Sequence, residues 1–147
     1  MSTKGCLIVV RRLPYEEPHH AHLELLVRNR GFSAHTDIYC NVSDLRDIGD
    51  RYEYRYGSDN PADRNYRLLV LGVYTTDSVG HCAIKVKLNK NEPEPDEGIA
   101  EFSISTDPAA VNRLGELFTT FAELQHLEFH WTPGESKLFE KHQPLIA

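Results

Sequence analysis

Residues 22–40, HLELLVRNRGFSAHTDIYC, constrain the fold more than any other stretch of this chain. Leu23, Leu25 and Val27 alternate with His22, Glu24 and Arg28. After a short break, Phe32, Ala34 and Ile38 alternate with Ser33, His35 and Asp37. A repeat of two puts successive side chains on opposite sides of an extended backbone, so each run reads as a strand with one apolar and one polar face. Arg28-Asn29-Arg30-Gly31 reads as the turn between them, with Gly31 able to supply a positive φ. Two alternating runs around so short a turn pair as an antiparallel hairpin, with one face covered and one wet.

Other segments extend this pattern. Residues 5–13 (GCLIVVRRL) are short and β-branched, and RYEYRYG alternates aromatic and charged side chains. YRLLVLGVYTT is the most apolar run and is expected to be a central strand covered on both faces. HCAIKVKLNK turns Ile84, Val86 and Leu88 inward and Lys85 and Lys87 outward; EFSIS turns Phe102 and Ile104 inward; LEFHW is a candidate last strand.

Helices are fewer. VSDLRDIGD reads as a short helix capped by Ser43 and ended by Gly49. Asp107-Pro108 opens a stronger one, because aspartate can cap free N–H groups and proline suits the first helical position. Val111, Leu114, Leu117, Phe118, Phe121 and Leu124 then form one apolar stripe that needs a sheet to cover. Gly115 interrupts this helix at a cost of about 1 kcal/mol against alanine and is expected to permit close approach to a strand. The expected fold is α+β: a mainly antiparallel sheet of about seven strands, with one short helix and one C-terminal amphipathic helix packed on it. With 147 residues the chain is expected to form a single domain over residues 1–132. Residues 133–147 form a tail whose Leu138, Phe139, Leu145 and Ile146 would dock on that domain or on a second copy, giving a homodimer.

Composition narrows the classes. Twenty-two acidic and 16 basic side chains give a net charge of −6, which disfavours nucleic acid and favours encounter with a basic protein. Lys85, Lys87 and Lys90 read as a solvated strand face. The three cysteines, Cys6, Cys40 and Cys82, are widely spaced and odd in number, so a disulfide framework is not expected and a cytoplasmic setting is. No apolar stretch approaches the roughly 18 residues of a membrane span, so no membrane partner is expected.

Candidate chemistry concentrates on the polar face of the hairpin. A register that sets Val27 against Phe32 and Leu25 against Ala34 also sets Glu24 against His35, His22 against Asp37 and His20 against Tyr39. Opposed β-carbons lie about 5 Å apart, so His20, His22, Glu24, His35 and Asp37 could converge on one polar ligand or metal. Neutral imidazoles with a carboxylate suit zinc and its neighbours, and an imidazole beside a carboxylate suits a general base. The competing reading is a solvent-facing strand face with weak ion pairs, and no metal is assigned. Tyr52, Tyr54 and Tyr56 share a strand face that could bind a small ligand or a partner, because amphipathic tyrosines favour interfaces. No nucleophile elbow, phosphate loop, C-x-x-C or H-E-x-x-H spacing occurs, so no catalytic residue and no cofactor is assigned. Cys40 shares the face of Ile38 and reads as a buried, inert thiol. Asp77, Ser78 and His81 read as turn chemistry.

Three segments resemble the WapI-type immunity proteins and related small bacterial proteins. They are GFSAHTDIYCNVSDLRDIG, LLVLGVYTTDSVGHCAIKVKL with Asp77, Gly80 and His81 in its turn, and EFSISTDPAAVNRLGELFTTFAEL. The likeness runs from about Gly31 to Leu124 and lies in element order and a few turn residues. It implies a protein-binding module that neutralises a toxin domain, with no catalytic residue to carry over. The PHHAH segment and the tail beyond Trp131 depart from that pattern.

Overall fold

The computed structural model describes residues 5–50, 53–57, 60, 62, 68–90 and 94–144; Tyr52, Leu145 and Ile146 lie outside them. The described residues form an α+β fold with antiparallel pairing throughout. In chain order the elements are β1 (Cys6–Leu13), β2 (His20–Asn29), β3 (Phe32–Asn41), α1 (Asp44–Asp50), β4 (Glu53–Tyr56), β5 (Leu69–Thr75), β6 (Cys82–Lys90), β7 (Gly98–Thr106), α2 (Pro108–Phe121), β8 (Glu128–Trp131) and β9 (Ser136–Phe139).

These strands make two sheets where one was expected. The first has the order β3-β2-β1-β8-β9 and the second β4-β5-β6-β7. The middle of the chain meanders through the second sheet, whereas the two ends of the chain share the first. Local pattern cannot reveal the joint between β1 and β8, in which Val10 opposes Phe129 and Arg11 opposes Glu128 across more than a hundred residues of chain. The tail also enters the first sheet: β9 pairs with β8 along its length, Phe139 facing Glu128 and Ser136 facing Trp131.

One apolar cluster joins the inner faces of both sheets to both helices. Ile8, Val10, Leu23, Leu25, Val27, Phe129 and Trp131 come from the first sheet and Leu69, Ile84, Val86 and Ile104 from the second. Burial at about 25 cal/mol per Å² makes this cluster the main stabilising term. The stripe on α2 is covered in part: Leu117, Phe118 and Phe121 are buried, Val111 and Leu114 are half-buried, and Leu124 lies past the helix end with a φ of 60°. Phe118 and Phe121 meet Phe129 edge-on with ring centroids 5.1 and 5.0 Å away. Asp107 caps α2, accepting a hydrogen bond from the Ala110 N–H at 2.9 Å, and the Trp131 indole N–H donates to the Ala110 carbonyl at 2.8 Å.

Several local expectations need correction. Gly49 does not end α1; it lies inside it, facing Gly115 of α2. A β-carbon on Gly49 would sit 2.5 Å from the Gly115 carbonyl oxygen, so the two glycines let helix approach helix, not helix approach strand. Strand β5 is internal to its sheet, but Leu69 and Leu71 are buried while Tyr74 is exposed, so only one face is fully covered. Strand β7 starts at Gly98, earlier than expected, because Gly98–Ala100 continues the pairing with Leu88–Lys90. In the β2–β3 turn the positive φ belongs to Arg30 (56°), not Gly31.

Candidate functional site

Hairpin β2–β3 forms with a register two residues away from the expected one. Asn29 opposes Phe32, leaving Arg30 and Gly31 as the loop, and His22 opposes Tyr39, Glu24 opposes Asp37 and Leu26 opposes His35. A slip of two keeps every side chain on its expected face, whereas a slip of one would have inverted them. The anticipated acid–imidazole pairs therefore form on the diagonal. His35 Nε2 lies 3.4 Å from Glu24 Oε2, and His22 Nε2 lies 3.7 Å from Asp37 Oδ1. The His22 ring stacks on Tyr39 at a centroid distance of 4.3 Å. One ligand atom each from Glu24, His35 and Asp37 falls within 4.8 Å of the other two. His20 does not join them. It opposes Asn41 at the far end of the hairpin.

His20 instead lines an open cleft of about 620 Å³ between the hairpin, α1 and β4. Tyr39, Cys40, Asp44, Asp47, Tyr54 and Tyr56 line it too, together with Glu16, Asn41 and Arg55. Two groups that are separate in the sequence thus meet here: the start of the histidine segment and the tyrosines of β4. Tyr54 and Tyr56 are half-buried on one face of β4 while Glu53 and Arg55 are exposed on the other, as the alternation predicted. Tyr52 falls outside the described residues. Among the described lining residues are three carboxylates, Glu16, Asp44 and Asp47, and one guanidinium, Arg55, which is paired to Glu53. Burial, reinforced by the Asp44 charge, pushes the Cys40 thiol up to about 11, so it stays protonated at neutral pH and is no nucleophile. All three cysteines are free, and Cys6 and Cys82 are buried.

The sequence reading missed a third cluster. Glu128, a carboxyl side chain, is fully buried. Its Oε1 accepts from Arg11 Nε at 2.6 Å and from the Gln143 N–H at 3.0 Å, and its Oε2 meets the His130 ring. Arg11 also donates to the Gln143 carbonyl, and His142 Nε2 lies 2.8 Å from the Arg12 carbonyl. Alternation in LEFHW, which sets Glu128 and His130 opposite to Phe129 and Trp131, was the available signal. What it lacked was the partner strand.

Asp77 serves its turn. Its Oδ1 accepts from Val79 and His81 N–H groups at 2.9 and 3.1 Å, and its Oδ2 meets the His81 ring. That ring hydrogen bond holds the carboxyl below the ordinary value of 3.8. No helix among the described residues is long and apolar enough to cross a membrane. Comparison with protein-family models, with curated proteins and with solved structures finds no match to this chain.

Proposed function

We propose that this chain is a small protein-binding module of the immunity kind, and that a basic partner, in the manner of a toxin domain, inserts a cationic side chain into the tyrosine-lined cleft. The observation that carries this reading is the meeting of three carboxylates with Tyr39, Tyr54 and Tyr56 around one opening. Aromatic faces and carboxylates together suit a guanidinium or ammonium group, which gains from both ring and charge. The net charge of −6 supports fast encounter with such a partner, and the resemblance of its element order to that of immunity proteins points the same way. Three unpaired cysteines fit a reducing cytoplasm as the setting.

The test uses the basic product of a toxin-like reading frame beside the gene, immobilised and offered the full chain at low and high salt. Retention at low salt, weakened at high salt and lost in an Asp44→Asn, Asp47→Asn double variant, supports the reading. Absence of binding, or binding indifferent to both substitutions, overturns it. The cleft volume also falls in the range of small-ligand sites, so a small cationic ligand is the second reading. Thermal stabilisation by arginine amide that Tyr54→Ser removes would favour it; no stabilisation would dismiss it.

A further inference from the structure

We propose that Glu24, His35 and Asp37 form a binding site for a divalent first-row transition metal of the zinc class on the outer face of the first sheet, with His22 orienting Asp37. This site shares no ligand residue with the tyrosine cleft and touches it only through the stack of His22 on Tyr39.

Geometry is the first argument. A tetrahedral ion with bonds of about 2.0–2.2 Å holds its ligand atoms about 3.4 Å apart. His35 Nε2 and Glu24 Oε2 are 3.4 Å apart, and one ligand atom each from Glu24, His35 and Asp37 falls within 4.8 Å of the other two. Rotation of the exposed His35 and Asp37 side chains is what the site needs to close the rest of that distance. All three project from paired strands, which fixes their spacing before any ion arrives.

Electrostatics is the second argument. Glu24 and Asp37 are direct cross-strand partners, and like charges placed so are unfavourable. Arg11, which opposes Glu24 from the other side, directs its hydrogen bonds to Glu128 and Gln143. A divalent cation between the two carboxylates would relieve their repulsion. His22 supplies the third. Its Nε2 is shut off from solvent without a hydrogen-bond partner, 3.7 Å from Asp37 Oδ1, while its ring is held flat on Tyr39. A metal drawing Asp37 into place would give that nitrogen its partner, the arrangement in which outer residues orient a ligating carboxylate.

Donor chemistry selects the ion. One imidazole and two carboxylates suit zinc, cobalt, manganese or ferrous iron. Calcium asks for six to eight oxygens, and cuprous copper asks for thiolates, which this face lacks because Cys40 points to the inner side. His35 and Asp37 have side chains 55 % and 45 % exposed, so solvent can fill the remaining positions and the variants needed for the test should fold.

The experiment titrates tag-free full-length protein with Co²⁺ and Zn²⁺, reading visible d–d absorption, stoichiometry and melting temperature. The expected result is one Co²⁺ per chain with tetrahedral bands, displacement by Zn²⁺, and a rise in Tm of about 5 °C at saturating Zn²⁺. His35→Ala and Asp37→Asn each abolish the bands. His22→Phe keeps the stack on Tyr39, weakens Co²⁺ about tenfold and shifts the spectrum. His81→Ala, which removes an exposed imidazole–carboxylate pair elsewhere, changes nothing. No bands, binding that survives His35→Ala, or binding that falls with His81→Ala would overturn the site and leave ordinary surface ion pairs.

Discussion

Two acid–histidine clusters lie on the same face of the same sheet and have opposite fates. Asp37, Glu24, Arg11 and Glu128 are successive partners in one row across β3, β2, β1 and β8. At the Glu128 end the row is closed over. Phe139 of β9 opposes Glu128, and Gln143 folds back to donate to it, so the carboxylate is fully buried and its oxygens are engaged by Arg11, His130 and the tail backbone. At the Asp37 end β3 is the edge strand, the Asp37 and His35 side chains stay about half exposed, and the pairs stand 3.4 and 3.7 Å apart. The same residue types therefore act as structure where a further strand covers them and remain open to a ligand where the sheet ends.

Removing Glu128 should cost most. Glu128→Ala leaves Arg11 and His130 facing a dry gap and should destabilise by about 3 kcal/mol, read as a lower urea midpoint at unchanged slope. A loss below about 1 kcal/mol would mean that the buried knot is no more structural than its open counterpart. Truncation after Phe139 removes the Gln143 and His142 hydrogen bonds but keeps β9, and should cost about 1–2 kcal/mol in the same measurement. At the open end, His35→Ala or Asp37→Asn should shift stability by less than about 0.5 kcal/mol in metal-free buffer, because exposed ion pairs contribute little.

The exposed Asp77–His81 pair is a fourth acid–histidine contact against which the comparison can be set. Its hydrogen bond lowers the folded carboxyl below 3.8, so its contribution is present above that pH and is lost as pH falls through the folded value. Carboxyl NMR should place the Asp77 titration below 3.8 in the native chain and return it toward 3.8 in His81→Ala. An unchanged titration would assign the shift to the turn N–H groups alone.

Much of the candidate site was legible because the side of a strand is a local property. His22, Glu24, His35 and Asp37 alternate with Leu23, Leu25 and Ala34, and the hydrophobic effect needs no knowledge of distant chain to decide which set goes inward. Register was less legible. It depends on which two residues form the turn, and Arg30 accepting a positive φ moved the pairing by two positions. The tyrosine cleft was visible only in pieces, since His20, Asp44 and Tyr54 belong to three separate elements.

From its sequence alone this chain was bound to form strands with sorted faces and a capped amphipathic helix from Asp107, because each depends on neighbours a few positions away. Tertiary structure alone decided that the strands divide into two sheets, that β8 and β9 complete the sheet begun by β1, that Gly49 meets Gly115, and that Glu128 is sealed while Asp37 stays open. Those outcomes turn on contacts between segments far apart in the chain, whose free energy comes from the joint burial of surfaces that no single segment carries.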